Sequence, residues 1–218
     1  MSEVRIGAVI RDIIIFVFLL VCIFSVFVTV LSRKDADGAA EVFGYQMRVV
    51  TSDSMAACEH TDVSAYKIKD IPVRSMVFVE VMPKTPTEAD AFYRSLQVGD
   101  VLTFRYVYTT QITITHRITS ITEKETGGFI IELAGDNKNS EDANLTQVID
   151  TSVPNNTNYV IGKVVGSSYL LGSFMNFLKQ PAGIVLCIIV PCFIIIMLEV
   201  IKIVKVLEED KRNAYMDF

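Results

Sequence analysis

Cysteine is scarce and poorly placed for crosslinking. Of the four cysteines, Cys22, Cys187 and Cys192 fall in apolar runs and only Cys58 lies in the polar middle of the chain. No disulfide framework can form there. Histidine is scarcer still, with two residues, and Cys58 together with His60 cannot fill a zinc site. That pair reads as plain loop, and nothing in the sequence asks for a metal or a cofactor. Positive charge is also short. The net charge is −5, and residues 33–179 hold 14 Lys or Arg against 18 Asp or Glu. An acidic middle leaves no electrostatic footprint for nucleic acid. Internal repeats and low-complexity tracts are absent.

What the chain has in excess is apolar residues, 51% of its 218, more than a soluble domain usually needs. Between Asp12 and Arg33 lie twenty uncharged residues, IIIFVFLLVCIFSVFVTVLS. At 1.5 Å rise per residue they match a bilayer core of about 30 Å. A second run, AGIVLCIIVPCFIIIML, extends from Ala182 to Leu198 and continues amphipathically to Val204, with Pro191 as a candidate kink. Gly38-Ala39-Ala40 offers small residues at the spacing that removal of a secretory signal wants, but twenty residues exceed a secretory h-region of about 7 to 15, so the run reads as an uncleaved anchor. Arg5 and Arg11 precede it, and Lys202, Lys205, Lys211 and Arg212 follow the second run, against Arg33 and Lys34 between them. The positive-inside rule puts both ends in the cytoplasm. The expected organisation is a cytoplasmic N-terminus (1–12), a transmembrane helix (13–32), an extracytoplasmic domain (33–179), a second transmembrane helix (180–204) and a cytoplasmic tail (205–218). This is a two-pass protein of the plasma membrane, in contact with its lipid.

The middle is long enough to bury a core of its own. Ser75–Met82, Val101–Val107, Gln111–Thr122, Gly128–Ala134 and Tyr159–Val165 are rich in β-branched and aromatic residues and are separated by turn-forming or polar segments. The expected fold is mainly β, antiparallel, anchored by an N-terminal and a C-terminal transmembrane helix. Residues 83–96 read as a loop with at most a short helical turn, and residues 56–73 show no period. The stretch from Val42 to Val50 reads equally as a first core strand or as an interfacial groove wall.

In the longest strand, alternation puts Ile112, Ile114, His116 and Ile118 on one face and Thr113, Thr115, Arg117 and Thr119 on the other. A histidine on an apolar face is ordinarily a core residue. Here the chain also offers Ser52 and Ser54 on a short polar turn and two carboxylates, Asp136 and Asp142, in GDNKNSED. An imidazole near neutral pH, a hydroxyl and a carboxylate are the ingredients of an activated serine nucleophile. Their spacing alone does not bring them together.

Four blocks in order, Ser52-Asp53-Ser54-Met55, Val98–Phe104 (VGDVLTF), Thr115–Ile118 (THRI) and Gly135-Asp136-Asn137 with Asp142 beyond, follow an N-terminal apolar run. Together they resemble type I signal peptidase over roughly residues 10–170. The resemblance is to the histidine-base branch of the endoplasmic reticulum, archaea and some Gram-positive bacteria; the other bacterial branch has lysine where His116 stands.

The resemblance implies a serine endopeptidase with a signal-peptidase-like β fold, cleaving signal peptides of exported preproteins after small-x-small sites, near the translocon. It implies Ser54 as nucleophile, His116 as general base and Asp142 as its orienting carboxylate. Asp136 either braces its loop or substitutes as orienter. Ser52 shares an oxyanion hole with the Ser54 backbone N–H. The chain departs from the pattern at Asp53, where glycine is usual, at Ala56-Ala57, and in the lengthened 56–73 and 83–96 segments. Sequons at Asn144 and Asn155 matter only in a glycosylating organism, and the C-terminal run favours a bacterial source. The alternative is a catalytically inactive membrane-anchored β-domain that binds a secreted partner.

Overall fold

The β-branched segments form one sheet. The computed structural model describes residues 12, 15–16, 18–20, 23, 33–34, 39–106, 112–140, 145–153 and 158–216. It divides into one unit of Leu31–Ser173 and a second to which Phe174–Phe218 belongs. In the first, the described residues form nine strands: β1 (Arg33–Lys34), β2 (Ala40–Val42), β3 (Tyr45–Val49), β4 (Met76–Val81), β5 (Val101–Tyr106), β6 (Ile112–Glu123), β7 (Phe129–Ala134), β8 (Gln147–Asp150) and β9 (Asn158–Ser168). Their order is β1-β2-β3-β4-β9-β5-β6-β7-β8, and every pairing is antiparallel. The mainly β, antiparallel fold read from the sequence is therefore present.

The sheet is buried on both faces, and β5 shows why. Leu102 and Phe104 enter one core cluster with Ile118, Ile131 and Leu133, while Val101 enters another with Met55, Ile71, Val77 and Val164. Successive strand residues point to opposite faces, so both faces need a cover. Part of the first cover is a helix, α1 (Pro86–Ser95), whose Phe92 and Tyr93 pack against the cluster. This corrects the loop expected over residues 83–96. Its signals are at its ends: proline in the first turn, Glu88 bonded to the Thr85 hydroxyl, and Arg94 in the last turn. The other face is covered in part by the segment 56–73, through Ile71 and Ile68.

Two features shape the groove described below. Phe43 and Gly44 both take positive φ (52° and 80°), as a two-residue turn of the primed type requires, so Val42–Val50 is a hairpin rather than a single strand. Arg48 of β3 donates to Thr113 Oγ1 of β6 at 3.2 Å although the two strands stand four places apart in the sheet. The sheet therefore curls until β3 and β6 face each other.

α2 (Tyr169–Lys179) begins in the first unit and runs into the second, where it is followed by α3 (Pro181–Ile184), a π turn (Val185–Ile189) and α4 (Val190–Met216). Together Pro181–Glu209 make 29 helical residues, the one helix among the described residues that is long and apolar enough to cross a membrane. A π turn comes just before Pro191, and in it the Val190 N–H reaches back to the Val185 carbonyl. Pro191 has no N–H and its ring crowds the carbonyl four residues earlier, and a wider turn relieves that clash. The span read at 13–32 lies mostly outside the described residues.

Candidate active site

Ser52 and Ser54 lie on the connection from β3 to β4, in a turn closed by Ala56 N–H donating to the Asp53 carbonyl at 2.9 Å. The turn is held from several sides. Met55, 1% exposed, is sunk in the core, and its carbonyl accepts from Ile71 N–H at 3.0 Å. From the GDN loop, Asn137 N–H donates to the Ser54 carbonyl at 2.9 Å, and the Asn137 side-chain amide donates to the Asp53 carbonyl at 3.1 Å. Ser140 Oγ donates to the Asp53 carboxylate at 2.9 Å. Asp53 is thus a clamp between the serine turn and the GDN loop.

His116 comes from β6, opposite Leu102 of β5 and edge-on to Phe104 with ring centroids 6.5 Å apart. It is 1% exposed. Its Nε2 stands 3.1 Å from Ser54 Oγ, bringing together residues 62 apart in sequence. Nδ1 stands 2.7 Å from Gln147 Oε1. A carbonyl oxygen can only accept, so Nδ1 carries the hydrogen and Nε2 presents a lone pair to the Ser54 hydroxyl. Ser52 Oγ lies 3.2 Å from Ser54 Oγ. With the Ser54 proton directed at Nε2, the Ser52 hydroxyl is the donor. Among the described residues the Ser54 N–H has no acceptor, which leaves that donor for an incoming carbonyl.

Asp136 is placed otherwise. Its carboxylate receives Arg117 Nε at 2.9 Å and Nη2 at 2.6 Å, and both side chains are 5% exposed. Arg117 follows His116 and so points to the opposite face of β6. It also donates to the carbonyls of Gly99 at 2.7 Å and Ile68 at 2.9 Å and lies 4.6 Å above the Tyr66 ring. Asp136 is thus tied to β6 through Arg117. Asp142 lies outside the described residues.

The serine opens into a groove of about 700 Å³. Val49–Thr51 form one wall, Ile112–Thr115 the other, and Leu145 and Thr146 border it beside Gln147. β7 pairs with β6 only from Arg117 onward, so Ile112–His116 run past the end of β7 along the groove.

Cys58 and His60 do approach each other, with Sγ 3.6 Å from Nδ1. The His60 backbone N–H, followed by its side chain, lowers the Cys58 thiol below its ordinary pKa. Among the described residues there is no group of three or more potential metal ligands. Gln147 is the site residue that sequence reasoning missed. A glutamine at the end of a polar segment carries no signal, and only the β7–β8 pairing brings it to the imidazole. No protein-family model matches the chain, and no curated protein matches it significantly.

Proposed function

We propose that this chain is a membrane-anchored serine endopeptidase that cleaves signal peptides from exported preproteins after small-x-small sites, in the manner of the histidine-base type I signal peptidases it resembles. The observation that carries the reading is the 3.1 Å approach of Ser54 Oγ to His116 Nε2 at the edge of a groove long enough for an extended peptide.

In this mechanism His116 takes the Ser54 proton as the oxygen attacks the scissile carbonyl and returns it to the leaving amine as the C–N bond breaks; it then deprotonates a water that hydrolyses the Ser54 ester, and the proton goes back to Ser54 as the signal peptide leaves as its acid. The Ser54 N–H and the Ser52 hydroxyl stabilise the oxyanion. Asp142 stabilises the imidazolium, and Asp136, through Arg117, ties the GDN loop to β6. The peptide lies extended between the walls of β3 and β6, adding a strand to the curled sheet. Branched and bulky apolar side chains line the groove, among them Val49, Val50, Ile114 and Leu145, and shallow pockets between them suit small residues on the acyl side of the cut.

The β-unit faces the outside of a bacterial plasma membrane, tethered at 13–32 and by the Pro181–Glu209 helix, with both termini in the cytoplasm. A signal peptide presents its cleavage site at that surface as it leaves the translocon. The reading is tested by incubating the full-length protein in detergent with a synthetic preprotein bearing an A-x-A site and identifying the products by mass spectrometry. One cut after the second alanine, abolished when that alanine is replaced by a bulky residue, is the expected result. Intact preprotein that nevertheless binds in the groove would replace the protease with the alternative, a module that holds a secreted partner.

A further inference from the structure

A neutral imidazole has two tautomers, and only the one protonated at Nδ1 can take a proton at Nε2. Buried at 1% exposure beside Phe104, His116 has little water to settle the choice. Gln147 stands at the first position of β8, with its backbone paired to Leu133 and 7% exposure, and its amide oxygen is 2.7 Å from Nδ1. The ladder to β7 fixes where that side chain starts, and the imidazole fixes where it ends.

We infer that Gln147 is the positioning residue of this site: its amide oxygen holds His116 in the Nδ1–H tautomer and aims Nε2 at Ser54. As the base of a serine endopeptidase this rests on the function proposed above, but the tautomer itself does not. A neutral acceptor does something a carboxylate does not. It fixes the tautomer while adding no negative charge of its own beside the ring. Leu145 and Thr146, which immediately precede Gln147, border the groove.

The chain has two histidines, so the ring nitrogens of His116 are assigned by nitrogen NMR of the ¹⁵N-histidine-labelled full-length protein against a His60→Ala variant. The neutral form of His116 should be Nδ1–H in the wild type and shift toward Nε2–H in Gln147→Leu. In Gln147→Glu the titration midpoint should rise by about 1 to 3 pH units, as an anion beside an imidazole requires. The described charged groups nearby are unchanged between these proteins: Arg48 in the groove, Asp53 in its clamp and the Arg117–Asp136 pair on the opposite face of β6.

In cleavage assays, Gln147→Leu should lower kcat about tenfold or more with KM little changed, and Gln147→Glu should move the acid limb of the pH profile upward. A wild-type His116 that is Nε2–H, or a titration midpoint unmoved in Gln147→Glu, overturns the inference. Ser54-dependent cleavage with an unaffected Gln147→Leu would sink this assignment alone. A Gln147-dependent tautomer in a protein that cleaves nothing would sink the protease and keep the assignment.

Discussion

Arg117 grips Asp136 with two parallel hydrogen bonds, 2.9 and 2.6 Å long, in a site where each side chain is 5% exposed. The pair joins the strand that carries His116 to the loop that carries Asn137. Removing one partner leaves a buried charge, which costs about 3–5 kcal/mol, whereas replacing both by apolar side chains is often neutral or stabilising. Asp136→Ala should therefore unfold at much lower temperature in detergent, and Arg117→Met with Asp136→Leu should recover most of the loss. Equal melting of the single and wild-type proteins would show that the pair contributes nothing.

Met55 is buried beside Ile71, Val77 and Val101, one residue from Ser54. Met55→Ala should destabilise the β-unit by about 2–5 kcal/mol through lost contacts and a residual cavity. It should also lower kcat more than it raises KM, because the serine turn loses its anchor while the groove walls stand. Hydrogen exchange at the Asn137 amide, which donates to the Ser54 carbonyl, should quicken in the same variant.

Ser52 tests the oxyanion assignment. Its hydroxyl is 3.2 Å from the nucleophile oxygen, and removing one such donor typically costs about 10²- to 10³-fold in rate. Ser52→Ala should lose that much kcat with an unchanged melting temperature, and Ser52→Thr should retain more activity than Ser52→Ala. A loss of twofold or less would assign Ser52 to the turn alone.

Tyr93, packed against the core from α1, has its phenol pushed up to about 12, mainly by burial and secondarily by Tyr159. The unfolded tyrosine ionises near 10. Between pH about 10 and 12 the unfolded state releases a proton that the native state keeps, so the stability this group contributes is complete below pH 10 and lost as pH rises toward 12. Tyr93→Phe should flatten the alkaline decline in melting temperature over that window.

Much of the fold was legible because its causes are local. β4, β5, β6, β7 and β9 advertise themselves by β-branched alternation, and Ile114 and Ile118 pack on the face that alternation assigns them. α1 was undercounted because its stabilising signals sit at its ends while Ala89, Ala91, Phe92 and Tyr93 show no clean period. β8 was missed because four residues after a polar segment form a strand only when β7 is beside them. The site divides in the same way. Ser54 and His116 were nameable by the family resemblance, yet their meeting depends on the curl that sets β3 against β6. The Asp53 clamp and the Gln147 acceptor are tertiary facts with no local trace.

The most direct measurement compares cleavage of an A-x-A preprotein by the wild type, Ser54→Ala and His116→Ala, each purified full-length in detergent and shown to melt like the others. The account predicts a single cut by the wild type and none above background by either variant. Cleavage at the wild-type rate by His116→Ala would contradict it.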